Sequence, residues 1–212
     1  MKLFLDTAIV SDIEDRVPTG LISGITTNPT LIFKSGKHPQ TVYQELIKLG
    51  INDISMEVMG DSEDELFKNA MGHVKTYAEK ATIKLPCTID GLKACKRLSA
   101  INVRTNVTLI FSPAQAILAS LAGATYISPF IGRMDDNSLD GMKLINDISN
   151  TLRSDTKILA ASIRDPQSVG TAFALGADIC TVPADVFDRM YNHVLTDKGV
   201  EQFERDHAAS SN

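Results

Sequence analysis

Lys84 stands in the run Ala-Thr-Ile-Lys-Leu-Pro of residues 81–86, which reads as a buried strand closed by Pro86. Leaving water is costly for an ammonium and favours the neutral amine, a nucleophile able to attack a carbonyl. A single lysine more often snorkels to solvent from a strand end, so its neighbours decide. Polar residues recur two apart at the ends of other short apolar runs, a spacing that sets side chains on one face of a strand. Thr26 and Asn28 close one run, Asn106 and Thr108 lie on another, Ser128 precedes Phe130, and Ser162 precedes Arg164. Asp6 and Glu57 end two more. With Arg133, the set amounts to one amine, two carboxylates and two guanidiniums. Each residue taken alone has a plainer reading. Asp6 could cap a helix, Asn28-Pro29 could be only a turn, and Glu57 could face water. Asn106 and Thr108 could satisfy each other, and Arg133 could pair with Asp135 or Asp136 at the surface. Their common position at strand ends argues for a shared pocket.

The elements that would position them alternate along the chain. Strands are predicted at Lys2–Asp6, Ile22–Thr26, Ile54–Val58, Thr82–Leu85, Val103–Leu109, Thr125–Pro129, Lys157–Ser162 and Asp178–Val182, with helical patterns after most of them. Helix starts are marked by Ser62 with Glu65, Ser112 with Pro113, Asp165 with Pro166, and Pro183, and Gly123 and Gly176 close two helices. Eight βα units in 212 residues suit a compact (β/α)8 TIM barrel better than a doubly wound sheet, which needs fewer strands. In a barrel the C-terminal strand ends converge on one face, where such folds carry their chemistry. No linker divides the chain, so residues 1–212 are expected to form a single catalytic domain. An extra amphipathic helix is predicted at about 196–208, with Val200 and Phe203 on one side.

Composition narrows the partners. The chain is 43% hydrophobic and 22% charged with a net charge of -5, and a pI near 5.3, without a Lys/Arg block that would suit nucleic acid or an anionic membrane. Thr105–Gly132 is uncharged but broken by polar residues, Gly123 and two prolines, so no membrane span is expected. Asp6 interrupts the N-terminus before a signal-length apolar core develops, which leads us to expect a cytoplasmic protein. Cys87, Cys95 and Cys180 lack zinc-like or disulfide spacing and are expected to be small buried residues. No metal is expected.

Several of these strand ends carry motifs in a recognisable order: Phe-Leu-Asp-Thr-Ala (4–8), Gly-Ile-Thr-Thr-Asn-Pro-Thr-Leu-Ile (24–32), Ile-Lys-Leu-Pro (83–86), Thr-Asn-Val-Thr-Leu (105–109), Ser-Pro-Phe-Ile-Gly-Arg-Met-Asp-Asp (128–136) and Ala-Ser-Ile-Arg (161–164). In these the chain resembles the short transaldolases, from Lys2 to about Phe203. The resemblance implies a cofactor-free class I aldolase mechanism of the pentose phosphate pathway. A dihydroxyacetone unit passes from sedoheptulose 7-phosphate or fructose 6-phosphate to glyceraldehyde 3-phosphate or erythrose 4-phosphate. It implies that Lys84 forms a Schiff base, that Asp6 takes the proton from the substrate hydroxyl, and that Glu57, with Thr108 and a water, serves the carbinolamine and imine steps. Thr26, Asn28, Asn106, Ser128, Phe130, Arg133, Ser162 and Arg164 are then substrate-binding residues, and the two guanidinium forks suit phosphate oxygens.

The same family holds direct fructose-6-phosphate aldolases. The resemblance gives those Gln, Tyr and an apolar residue where this chain has Glu57, Phe130 and Asn106, and so favours the transaldolase branch. A silent sugar-phosphate-binding barrel would be marked by loss of Lys84, Asp6 or Glu57, and all three are present. Asp165, where the family often has Asn or His, is expected to cap the next helix rather than oppose Arg164. The resemblance also implies a ring-shaped homo-oligomer, a pentamer or decamer, with the C-terminal helix packed on a neighbouring subunit.

Overall fold

The computed structural model of the chain describes residues 1–210. Eight parallel strands close into a barrel in sequence order: β1 (Lys2–Asp6), β2 (Ile22–Thr26), β3 (Ile54–Glu57), β4 (Ala81–Pro86), β5 (Thr105–Ile110), β6 (Tyr126–Pro129), β7 (Lys157–Ala160) and β8 (Ile179–Val182), with β8 pairing back to β1. The expected (β/α)8 architecture is therefore the one found. Outside it lie α1 (Ser11–Glu14), α2 (Pro29–Ser35), α3 (Pro39–Lys48), α4 (Glu63–Tyr77), α5 (Ile89–Ala100), α6 (Pro113–Leu121), α7 (Ile131–Asp136), α8 (Gly141–Thr151), α9 (Pro166–Ala174), α10 (Ala184–Tyr191) and α11 (Val194–Ser210). Strand runs rich in β-branched residues, punctuated by Gly and Pro, made this order readable.

β3, β4, β6 and β8 differ from their expected limits by one residue at one or both ends, and two strands depart by two residues for local reasons. β5 begins at Thr105 rather than Val103, because Asn102 takes a left-handed turn with φ 59°. β7 stops at Ala160 instead of Ser162, since Ala161 makes only an isolated bridge to Phe130 and Ser162 turns left-handed with φ 61°. The expected helix starts hold: Ser62, Ser112 and Asp165 accept from the backbone N–H groups of Glu65, Gln115 and Ser168, while Pro183 precedes α10 without a side-chain cap. Gly123 and Gly176 end α6 and α9 at φ 85° and 104°, a region that glycine enters without Cβ strain. Cys95 and Cys180 are buried as expected, whereas Cys87 is only half-buried.

Most of the core lies between strands and helices, while Phe4, Tyr126, Leu159 and Ile179 form a separate cluster. Gly24 makes room for it, because a Cβ there would come within 2.6 Å of the Phe4 ring and 2.8 Å of the Asp53 carbonyl oxygen. Asp53, just ahead of β3, accepts from the hydroxyls of Thr82 and Tyr126 at 2.7 Å each and from Arg104 at 3.1 Å. These groups sit toward the N-terminal ends of the strands and brace the floor opposite the face where the C-terminal strand ends open. α11 begins two residues before its expected start and has no buried residue, with Phe203 largely exposed. No described helix is long and apolar enough to cross a membrane.

Candidate active site

Strand register places the polar ends side by side. Asp6 pairs with Thr26 across β1 and β2, and Glu57, Lys84 and Asn106 stand in line across β3, β4 and β5. Lys84 is 4% exposed. Its Nζ donates to the Thr27 carbonyl oxygen at 3.0 Å and lies 3.1 Å from Glu57 Oε2. An ammonium or amine so enclosed is held in one orientation, with its reactive end at the mouth of the barrel. Two adjoining compartments meet there, of about 110 and 330 Å³, sharing Asn28, Lys84, Phe130 and Arg133. The smaller adds Asp6, Thr26, Ser128, Ala161, Ser162 and Thr181, and the larger adds Glu57, Thr108 and Leu109. A wider groove of about 880 Å³ lies outside the barrel between α2, α3 and α4 and also touches Glu57. It holds neither Lys84 nor Asp6, so the barrel mouth is the place where the amine and carboxylates converge.

Asp6 shares the smaller compartment with Lys84. Its Oδ1 accepts from the Thr26 hydroxyl at 2.6 Å. Burial pushes its carboxyl above the ordinary carboxylate range; the Thr26 hydrogen bond and the Lys84 charge pull the other way, and Glu57 adds to the rise. A carboxylate tuned upward moves closer to the working pH of a proton shuttle. Asn106 donates to Ser55 at 3.2 Å and accepts from Ser128 at 2.7 Å, so hydrogen bonds at both ends of its amide fix it beside Lys84. Asn28 spends Oδ1 on capping α2 through the Leu31 N–H at 2.9 Å, so Asn28-Pro29 opens a helix rather than forming only a turn, and Asn28 still lines the cavity. Thr108 Oγ1 is buried without a hydrogen-bond partner among the described residues. It lies within a register shift of β5 between Val107 and Ile110, where Leu109 takes φ 61°. Leu109 and Ser162 are both non-glycine residues in the left-handed region at the cavity, the kind of strain that surrounding structure holds in place at working sites.

The two arginines separate. Arg133 lines both compartments, with its guanidinium carbon 4.8 Å from the centroid of the Phe130 ring. Arg164 lines neither, contrary to the expectation that it joins the pocket, because both arms of its guanidinium are bonded to the Asp136 carboxylate. The surface ion pair foreseen for Arg133 is made by Arg164 instead, and Arg164 holds the Asp136 carboxyl below its usual range. The side chain folds over Gly132, where a Cβ would meet the Arg164 Nε at 2.8 Å. Asp165 does cap α9, accepting from Ser168 N–H at 2.9 Å and from its hydroxyl at 2.6 Å.

Three participants escaped the sequence reading. The Thr27 carbonyl holds Lys84, Ser55 holds Asn106, and Thr181 bonds Thr26 at 2.7 Å. The first is a backbone group and left no signal. Thr181 had one: in Ile-Cys-Thr-Val of β8 it is the polar residue between apolar neighbours, the pattern that singled out its counterparts. Thr26, Lys84, Ser128 and Thr181 come from the four even-numbered strands and line one compartment, as alternate strands do in barrel layers.

Comparison with known proteins adds a relationship to this geometry. The family model described as Transaldolase/Fructose-6-phosphate aldolase matches residues 3–212. A probable transaldolase of Symbiobacterium thermophilum is 46% identical over 213 residues, covering 99% of this chain and 98% of its own. One from Hyphomonas neptunium is 47% identical over 206 residues, covering 96% and 95%. Among solved structures, the thiamine phosphate pyrophosphorylase from Pyrococcus furiosus superposes with a TM-score of 0.57 at 16% identity, over 86% of this chain and 85% of its own. That last likeness is one of fold alone.

Proposed function

The chain belongs to the Transaldolase/Fructose-6-phosphate aldolase family, and on that premise we propose that it transfers a dihydroxyacetone unit between phosphorylated sugars through a Schiff base on Lys84. The carrying observation is the buried Lys84 amine, 3.1 Å from Glu57 and in one cavity with Asp6. The Lys84 nitrogen attacks the ketose carbonyl, and Glu57 and the unpartnered Thr108 hydroxyl handle, through a water, the proton transfers that expel hydroxide as water and leave a protonated imine. Asp6 then takes the proton of the C4 hydroxyl while the C3–C4 electron pair flows into the imine. The aldehyde product departs and an enamine stays on Lys84. Attack of that enamine on an acceptor aldehyde, with Asp6 returning the proton, reverses the sequence, and hydrolysis frees the amine.

Asn106, fixed by Ser55 and Ser128, suits the enamine and its hydroxyls, and Asn28, Ser128 and Ser162 suit the rest of the chain of hydroxyls. Arg133 faces the phosphate. Pathway membership, a cytoplasmic location and a ring homo-oligomer that covers the exposed α11 belong to the same reading. Transfer is favoured over direct release by Phe130, which offers no proton to the waiting enamine and whose ring packs edge-on against Phe111 with centroids 6.0 Å apart. The test supplies fructose 6-phosphate with and without erythrose 4-phosphate. Sedoheptulose 7-phosphate is expected as the main product, and dominant release of free dihydroxyacetone would assign the chain to the aldolase reading.

Separation of the two arginines gives a graded expectation. Arg133→Ala should raise KM for a phosphorylated ketose by roughly 10- to 100-fold, the worth of a charge-assisted contact, whereas Arg164→Ala should raise it less, because Asp136 already neutralises that side chain. Steady-state KM values for both variants check it, and an equal loss would place Arg164 on the phosphate.

A further inference from the structure

Beneath Asp6 runs a chain of two hydroxyls that no part of the proposed reaction uses directly. Thr26 Oγ1 lies 2.6 Å from Asp6 Oδ1 and 2.7 Å from Thr181 Oγ1. Both threonines are buried, at 3% and 1% exposure, so bulk water does not substitute for either contact. Each hydroxyl owns one proton. When Asp6 is ionised it only accepts, so the Thr26 proton is committed to it and the proton between the threonines must come from Thr181. The direction is fixed by counting.

We propose that Thr181 is a positioning residue for the reaction: its hydroxyl donates to Thr26, Thr26 donates to Asp6, and this directed chain holds the Asp6 carboxylate ionised and aimed at the cavity. When Asp6 gains a proton the same atoms serve in reverse, with Asp6 donating to Thr26 and Thr26 to Thr181, so neither protonation state strands a buried hydroxyl. Among the described residues Thr26 is the one side chain hydrogen-bonded to Asp6. The charged groups that face Asp6 from neighbouring elements are Lys84 on β4 and Glu57 on β3, with Arg133 of α7 lining the same compartment. None of them touches Thr181 by a hydrogen bond or ion pair. Removing the Thr181 hydroxyl therefore changes one thing at Asp6, the strength with which Thr26 donates. A weaker donor stabilises the charged carboxylate less.

The inference rests on the proposed role of Asp6 only for its kinetic arm. The experiment compares the full-length chain with Thr181→Val, of nearly the same shape, and Thr181→Ser, which restores the hydroxyl. Asp6 is titrated by carboxyl carbon NMR, and the acid limb of kcat/KM is measured for each. In Thr181→Val the Asp6 titration and the acid limb are both expected to move to higher pH; in Thr181→Ser both return toward wild type. Thermal unfolding of the variants guards against a mere packing defect, which the serine would not repair. An Asp6 titration unmoved by valine, or moved equally by serine, overturns the proposal. A titration that moves while the acid limb stays would uphold Thr181 and instead remove Asp6 from the role of base.

Discussion

Replacing Lys84 by methionine is expected to lower kcat by roughly 10⁴-fold or more, the scale of loss when a covalent nucleophile is taken from a working set. The methylene stem and the strand packing survive the change, since only the amine end meets Thr27 and Glu57. Borohydride added with fructose 6-phosphate should fix a sugar-derived mass on the peptide containing Lys84 in the wild-type chain and on no peptide in the variant. A second effect follows from burial. Glu57 loses its ion-pair partner, and an uncompensated carboxylate at this depth costs on the order of 1 to 3 kcal/mol. The variant should therefore melt lower, and Lys84→Met with Glu57→Gln should recover part of the difference. Turnover retained by Lys84→Met, or an adduct trapped on another lysine, would sink the covalent mechanism.

Asp6→Asn should divide activity from stability. Loss of the proton acceptor is expected to reduce kcat by roughly 10²- to 10⁴-fold, while the folded chain becomes more stable at neutral pH. The sign comes from linkage. Burial raises the Asp6 carboxyl in the folded state above the ordinary value of 3.8, so between those two values the native state holds a proton that the unfolded chain has lost. Stability then falls as pH rises through that window, and the cost persists above it. Asparagine carries no charge to desolvate and can still accept from Thr26. Its advantage should be absent below pH 3.8, open across the window and stay constant above it. Paired melting curves over that range measure it, and a variant no more stable than wild type at pH 7 would contradict the burial account.

Much of this was legible from local order. The eight strands announced themselves because each is a short apolar run bounded by turn residues and helix caps, and Ser62, Ser112 and Asp165 cap as their neighbours predict. Alternation on a strand is equally local. It put Thr26, Asn106, Ser128 and Lys84 on the inner face without knowledge of which strands would touch, and once the barrel was inferred their convergence followed. Glu57 against Lys84 needed only neighbouring strands in the register that the closed sheet adopts.

What remained hidden depends on contacts between distant elements. Whether Arg133 or Arg164 faces the cavity was decided by Asp136, which reaches Arg164 across 28 positions of sequence. The donor behind Asp6 was decided by closure of the barrel, which carries Thr181 to within 2.7 Å of Thr26 from 155 positions away. The left-handed turns at Leu109 and Ser162 run against the preferences of their own residues and exist because the surrounding packing holds them. Sequence by itself determined the repertoire of groups and the face each strand presents, because periodicity and capping act over a few residues. Tertiary structure alone decided which groups pair and which meet a substrate, because hydrogen bonds and ion pairs are settled by distances that only the closed sheet creates.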